Sequence, residues 1–241
     1  MMIDNPEIVV LGFPKCGATA LMRDFEKKPS TRVLRTPAGE LELRWPLIRS
    51  MRPDPLPDSL LVHKFTAYAY NMRALEYLAG ANPHSLLVLC VRDPARVVVS
   101  WHRMHQTIAR TGRNPAHFAW QEREFYADCS LTDYYRRYAR KRLRYHRYLR
   151  DVLEVVPTSR LAVVSQERMA EGIGRIGQYL HGLARGEAVE PPAPLSGNAK
   201  KHEGYADKAP VVLDADIEKE LRGVERRLRT LIAAEVNHHC V

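Results

Sequence analysis

The chain has 241 residues, with 37 Lys and Arg against 28 Asp and Glu for a net charge of +9. That length suits one α/β domain with a full core, and the positive balance favours an anionic partner without choosing among nucleotide, sulfated or phosphorylated ligand, nucleic acid and lipid head group. Residues 1–7 carry no basic or apolar leader region and no run of about 18 apolar residues follows, so a cytoplasmic protein without a membrane span is expected.

Residues 8–11 form a short apolar, β-branched run that Gly12 and Pro14 end, with Gly17 just beyond and a helix predicted over 18–28, stopping before Pro29. Main-chain N–H groups converging at a helix N-terminus make such a loop an anion site. Residues 31–59 are rich in Pro and Arg and read as a long functional loop, with a short amphipathic piece at 40–48. A second strand is predicted at 60–64, a helix at 71–79 capped by Asn71 and ended by Gly80, and a third strand at 85–91. Pro94 opens a helix that runs past Ser100 toward Ala109.

Residues 111–130 have the mixed character of a lid or substrate-facing insertion, and 131–155 read as one strong helix ended by Pro157. Leu131, Tyr135, Tyr138, Arg142, His146, Leu149 and Leu153 form its expected packing stripe, with arginines on the wet face. A fourth strand at 160–164, a helix at 173–183, a Pro/Gly/Lys-rich loop at 190–210 and a closing helix that Asp214 is expected to cap, running to about Val236, complete the chain. Strands alternating with helices imply a single α/β domain over 1–241, its parallel sheet covered on both faces and its ligands at the carboxyl ends of the strands.

Cys16, Cys90, Cys129 and Cys240 stand far apart with no C-x-x-C pair, which argues against zinc and against a disulfide framework. Cys16 begins C-x6-R, one residue too long for a cysteine phosphatase loop, and reads as a passive thiol.

From Gly12 to Thr19 the chain fits G-x-x-x-x-G followed by Thr, but Ala18 stands where a nucleoside-triphosphate loop needs its lysine. The loop's cation comes earlier, at Lys15. A sulfuryl group bears one negative charge where a terminal phosphoryl bears up to two, so one lysine over the leaving phosphate oxygen can suffice without a metal. Arg92 leaves the third strand, and Ser100 lies two turns into the following helix. From there a guanidinium fork and a hydroxyl can reach one phosphate.

Gly-Phe-Pro-Lys-Cys-Gly-Ala-Thr at 12–19 resembles the 5′-phosphosulfate loop of sulfotransferases that use 3′-phosphoadenosine 5′-phosphosulfate (PAPS), and Arg92-Asp-Pro with Ser100 resembles their 3′-phosphate motif. The segment 160–169 is similar to the family's fourth-strand region, and Lys200-Lys201-His-Glu-Gly204 to its nucleotide-closing loop. The resemblance implies that Lys15 and the amides of Cys16, Gly17, Ala18, Thr19 and Ala20 hold the phosphosulfate, that Arg92 and Ser100 read the 3′-phosphate, and that Lys200 and Lys201 close over the nucleotide. Ala18 and Ala20 depart from the residues many members carry there.

Gly39-Glu40-Leu-Glu42-Leu-Arg-Trp45 resembles the Lys-Glu-Pro-His-Phe-Phe segment of the heparan-type and related bacterial branch, which implies Glu40 as the base that takes the acceptor's proton, with Glu42 where a histidine is usual. His63-Lys64-Phe-Thr-Ala-Tyr68 resembles that branch's Glu-Lys-Ser/Thr-Pro-Ala-Tyr motif, making Lys64 a candidate contact to the sulfuryl group or acceptor and His63 a second base candidate. The implied partner is a small-molecule or glycan acceptor, shaped by residues 31–59 and 103–130, with PAPS as co-substrate and no metal. A P-loop kinase or NTPase is the alternative, resting on the same loop and on Asp93 as a possible Mg²⁺ holder. A nucleic-acid module comes third, on the Arg/Tyr-rich 134–150 alone.

Overall fold

The computed structural model describes residues 6–37, Gly39, 59–64, 70–112, 120–193 and 213–236. β1 (Glu7–Gly12) leads into α1 (Ala18–Phe25), then β2 (Thr31–Val33), β3 (Leu60–Lys64), α2 (Met72–Ala81) and β4 (Leu86–Val91). The chain continues through α3 (Pro94–Thr111), α4 (Trp120–Asp128), α5 (Leu131–Tyr134), a π-helical turn (Tyr135–Ala139), α6 (Arg140–Arg142) and α7 (Tyr145–Val155). It closes with β5 (Leu161–Ser165), α8 (Gln166–Ala184) and α9 (Ala215–Glu235).

All five strands are parallel, in the order β2-β3-β1-β4-β5. β1 and β4 are buried along their whole lengths, which is why they read as unbroken apolar runs instead of alternating ones. α1 packs with α8, α2 with α7, and α9 with both α3 and α7. β1 stands where the chain order switches sides, with β3 on one flank and β4 on the other, so a crevice opens at its carboxyl end.

Several expectations are corrected by packing, among them the helix expected at 173–183, which begins at Gln166. The edge strand β2 lies within a segment expected to be loop, and its three residues are too few to carry a periodicity. α2 runs one residue past Gly80 before the extended Asn82 ends it, while Asn71 caps its start through a 3.2 Å bond from the Ala74 N–H. The single helix expected over 131–155 is interrupted. A π-turn widens residues 135–139, and Leu143 with Arg144 leave helical geometry.

Of the expected stripe, Tyr135 and Leu149 are buried as predicted, and the offsets add other residues to it. Tyr134, Ala139, Leu143 and Tyr145 are inside, while Arg142 stands exposed with its guanidinium 4.0 Å from the Tyr138 ring centroid. Asp214 does precede the closing helix, but its carboxylate accepts from the Thr132 hydroxyl at 2.7 Å and caps nothing.

Candidate active site

The loop after β1 is built by three residues at positive φ. Gly12 (φ 143) brings the backbone against β4, where a Cβ would stand 2.7 Å from the Cys90 carbonyl oxygen. Gly17 (φ 88) turns the chain into α1 and lies against Met169 of α8, whose methyl would be 2.7 Å from a Cβ. Lys15 (φ 66) adopts the left-handed region although it is not glycine. Such strain persists where the surroundings over-determine it and gathers at functional sites.

Gly17 gives α1 no side-chain cap, so its N-terminal dipole is left for another group. The Ala20 N–H, one of the five amides assigned from sequence, is already engaged by the Gly17 carbonyl at 2.9 Å. Ala18 is buried, and so is Cys16, whose thiol is pushed well above its ordinary value by that burial. Cys16 is thus a packing residue, its thiol directed at the Pro14 carbonyl of the same loop at 3.6 Å.

Arg92 follows β4 and swings back to the loop, where Nη1 donates to the Lys15 carbonyl at 3.2 Å. Its Nε is buried with no hydrogen-bond partner. Ser100 lies two turns into α3, and together with Lys15, Arg92, Arg96 and Arg103 it lines a pocket of about 520 Å³. Arg96 escaped the sequence reading and Arg103 entered it only as the first residue of the acceptor-facing 103–130, although counting back four and forward three from Ser100 along a helix puts both on its face. Asp93 is taken up locally, since Oδ1 accepts from the Ala95 N–H at 2.8 Å and caps α3.

His63 and Lys64 are neighbours on β3 and therefore face opposite sides of the sheet. Lys64 comes to the loop side, donating from Nζ to the Thr19 hydroxyl at 3.0 Å. His63 does not. Its Nε2 is 3.1 Å from Oε1 of Glu7, the first residue of β1, in a buried pair, and Glu7 Oε2 accepts from the Asn82 amide at 3.1 Å. The structure thus brings Lys15, Thr19, Lys64, Arg92 and Ser100 to one end of the sheet and ties His63 to the residue that opens the neighbouring strand. Glu40, Glu42, Lys200 and Lys201 lie outside the described residues. Among the described residues, no three or more His, Cys, Asp or Glu are grouped to hold a metal, and no helix is long and apolar enough to cross a membrane.

No protein-family model and no curated protein sequence matches the chain. Among solved structures, a sulfotransferase from Alicyclobacillus acidocaldarius is similar at a TM-score of 0.56 and 15% identity, over 96% of this chain and 97% of that one. The sulfotransferase domain from the curacin biosynthetic pathway gives a TM-score of 0.45 at 14% identity, over 79% of this chain and 77% of that one. Sulfotransferase STF9 from Mycobacterium avium gives 0.43 at 13% identity, over 96% of this chain and 69% of that one. With its five-stranded parallel sheet and its loop at the switch of strand order, the chain has the sulfotransferase fold.

Proposed function

We propose that the protein is a sulfotransferase that moves the sulfuryl group of PAPS to a hydroxyl or amine of an acceptor. The observation that carries this reading is the convergence of Lys15, Arg92 and Ser100 on one pocket beside an uncapped helix N-terminus. The N–H groups of Cys16, Gly17, Ala18 and Thr19 hold the phosphosulfate, and the Lys15 ammonium opposes charge that grows on the leaving phosphate oxygen. Arg92 and Ser100 take the 3′-phosphate, whose oxygens suit a guanidinium with an unpartnered buried Nε.

The acceptor oxygen or nitrogen attacks sulfur in line; the new bond to sulfur forms as the sulfur–oxygen bond to the phosphate breaks, and the acceptor's proton passes to a base. Glu40 is that base in this reading, with Glu42 as its alternative, because the His63 ring is engaged by Glu7. Lys64, beside Thr19, is near enough to the loop to contact the sulfuryl group, and Lys200 and Lys201 close over the nucleotide. A Mg·ATP site is disfavoured by Ala18 in the lysine position and by Asp93 spent as a helix cap.

Thermal unfolding with adenosine 3′,5′-bisphosphate and with Mg·ATP tests the reading. Ligand at about 100 times its dissociation constant stabilises by roughly 2.7 kcal/mol, and the bisphosphate is expected to do so. Stabilisation by Mg·ATP alone would overturn it. Glu40→Gln, assayed by labelled sulfate transfer, is expected to depress turnover about 100-fold or more, the range general-base catalysis supplies. Full activity in that variant would remove Glu40 from the role.

A further inference from the structure

Resting on the sulfuryl-transfer reading, we infer that Arg92 is also a positioning residue for the anion loop. By holding the Lys15 carbonyl it aims the Cys16 N–H at the 5′-phosphate, so one guanidinium ties the two phosphate sites together. The loop is fixed by backbone at both ends, where the Phe13 N–H donates to the Cys90 carbonyl at 3.3 Å and the Gly17 carbonyl accepts from the Ala20 and Leu21 N–H groups at 2.9 and 3.2 Å. Between those anchors Pro14 has no N–H to give. There a side chain takes over, with Arg92 Nη1 donating to the Lys15 carbonyl at 3.2 Å.

The Lys15 carbonyl and the Cys16 N–H belong to one planar trans peptide and point in opposite directions. Fixing the oxygen therefore fixes the hydrogen, whereas the same peptide turned over would offer a carbonyl to an anion. Lys15 lies at φ 66, a costly region for a residue with a side chain, so this stretch of backbone needs a hold from outside the loop. Arg92 can supply it because it directly follows β4, an interior strand buried along its whole length. Nη1 is committed to the loop while Nε is buried without a partner, so the same side chain keeps a donor for a 3′-phosphate.

The experiment uses the whole chain and compares calorimetric binding of adenosine 3′,5′-bisphosphate with that of adenosine 5′-phosphate, which has no 3′-phosphate for position 92 to touch. Arg92→Met keeps the stem and removes every donor, and Arg92→Ala takes its place if the first variant does not fold. Adenosine 5′-phosphate is expected to bind about fivefold more weakly to the variant, the scale of one lost hydrogen bond. That loss is expected to persist at about 0.5 M salt, where screening acts within about 4 Å. Arg96→Ala, which removes an exposed charge from the same pocket, supplies the comparison, and its smaller loss is expected to fade in salt. In a chain carrying heavy nitrogen at its four cysteines, the Cys16 amide signal, assigned through Cys16→Ser, is expected to move when adenosine 5′-phosphate binds the wild type and to stay in place in the Arg92 variant.

An adenosine 5′-phosphate affinity that stays at the wild-type value while bisphosphate affinity falls would overturn the inference and leave sulfuryl transfer standing, since Arg92 would then serve the 3′-phosphate alone. A loss equal to that of Arg96→Ala and abolished by salt would overturn it too, because charge without positioning would account for it. Wild-type binding of Mg·ATP in place of the bisphosphate removes the underlying reading, and the inference falls with it.

Discussion

Arg92 and Arg160 stand at opposite ends of neighbouring strands, one just past β4 and the other just ahead of β5, and their surroundings differ in a way that separates structure from function. Arg160 is fully spent. Its Nε donates to the Ser85 carbonyl, Nη1 to Ala79, and Nη2 to both the Asn82 carbonyl at 2.7 Å and the Ser85 hydroxyl at 2.9 Å. Glu7 adds favourable charge nearby and is itself closed off by His63 and Asn82. Arg92 makes one bond, to the Lys15 carbonyl, and keeps a buried Nε without a partner at the wall of a pocket. Both are basic residues beside buried strands, so the type of residue does not distinguish them. What does is whether the donors are consumed inside the protein or left pointing at a space.

The largest expected effect breaks the open end. Lys15→Ala is expected to lower turnover about 100-fold or more, the scale of removing one charge-stabilising donor, with bisphosphate affinity nearly unchanged. A pure binding defect would contradict its role on the leaving group. The closed end is broken by Arg160→Ala, which leaves buried carbonyls and the Ser85 hydroxyl unpaired and is expected to cost about 2–4 kcal/mol of stability. Urea unfolding measures that loss, and bisphosphate affinity of the folded variant is expected to match the wild type.

Arg92→Ala should give the mirror image, weakening bisphosphate binding by about 1.5–3 kcal/mol with little change in the urea midpoint. Equal effects of the two arginine variants on both measurements would erase the distinction between the ends.

The smallest effect concerns histidines outside either cluster. Burial holds His102, His146 and His181 below the ordinary histidine value, so the folded state binds fewer protons than the unfolded chain. Their contribution to stability is complete above about pH 6.5 and is lost as pH falls through the lowered folded values. The urea midpoint is therefore expected to be lower at pH 5.5 than at pH 7.5, and a midpoint that holds or rises would show that other groups dominate.

Local chemistry made much of this readable in advance. β1, β3, β4 and β5 fall within one residue of their predicted places because continuous apolar runs bounded by Gly, Pro and Asn are local signals. The placement of Gly12, Lys15, Gly17, Arg92 and Ser100 was legible for the same reason, since a strand-loop-helix unit carries its spacing in the chain. Residues 131–155 were legible only as helix. The π-turn lies between two buried contacts that no local pattern encodes, Tyr134 against His105, 3.1 Å from hydroxyl to Nδ1, and Tyr145 on Phe13, whose ring centroids are 3.7 Å apart.

By itself, then, the sequence determined a parallel α/β sheet and a glycine-bounded loop after the first strand, with a lysine in that loop. Only the tertiary structure decided which polar residues work together. His63 and Lys64 are adjacent in the chain, yet Lys64 reaches Thr19 and His63 is paired with Glu7, because successive side chains on a strand point to opposite faces. Arg92 meets Lys15 and Arg160 meets Ser85 across more than seventy residues, contacts that depend on strand order and that no local pattern encodes.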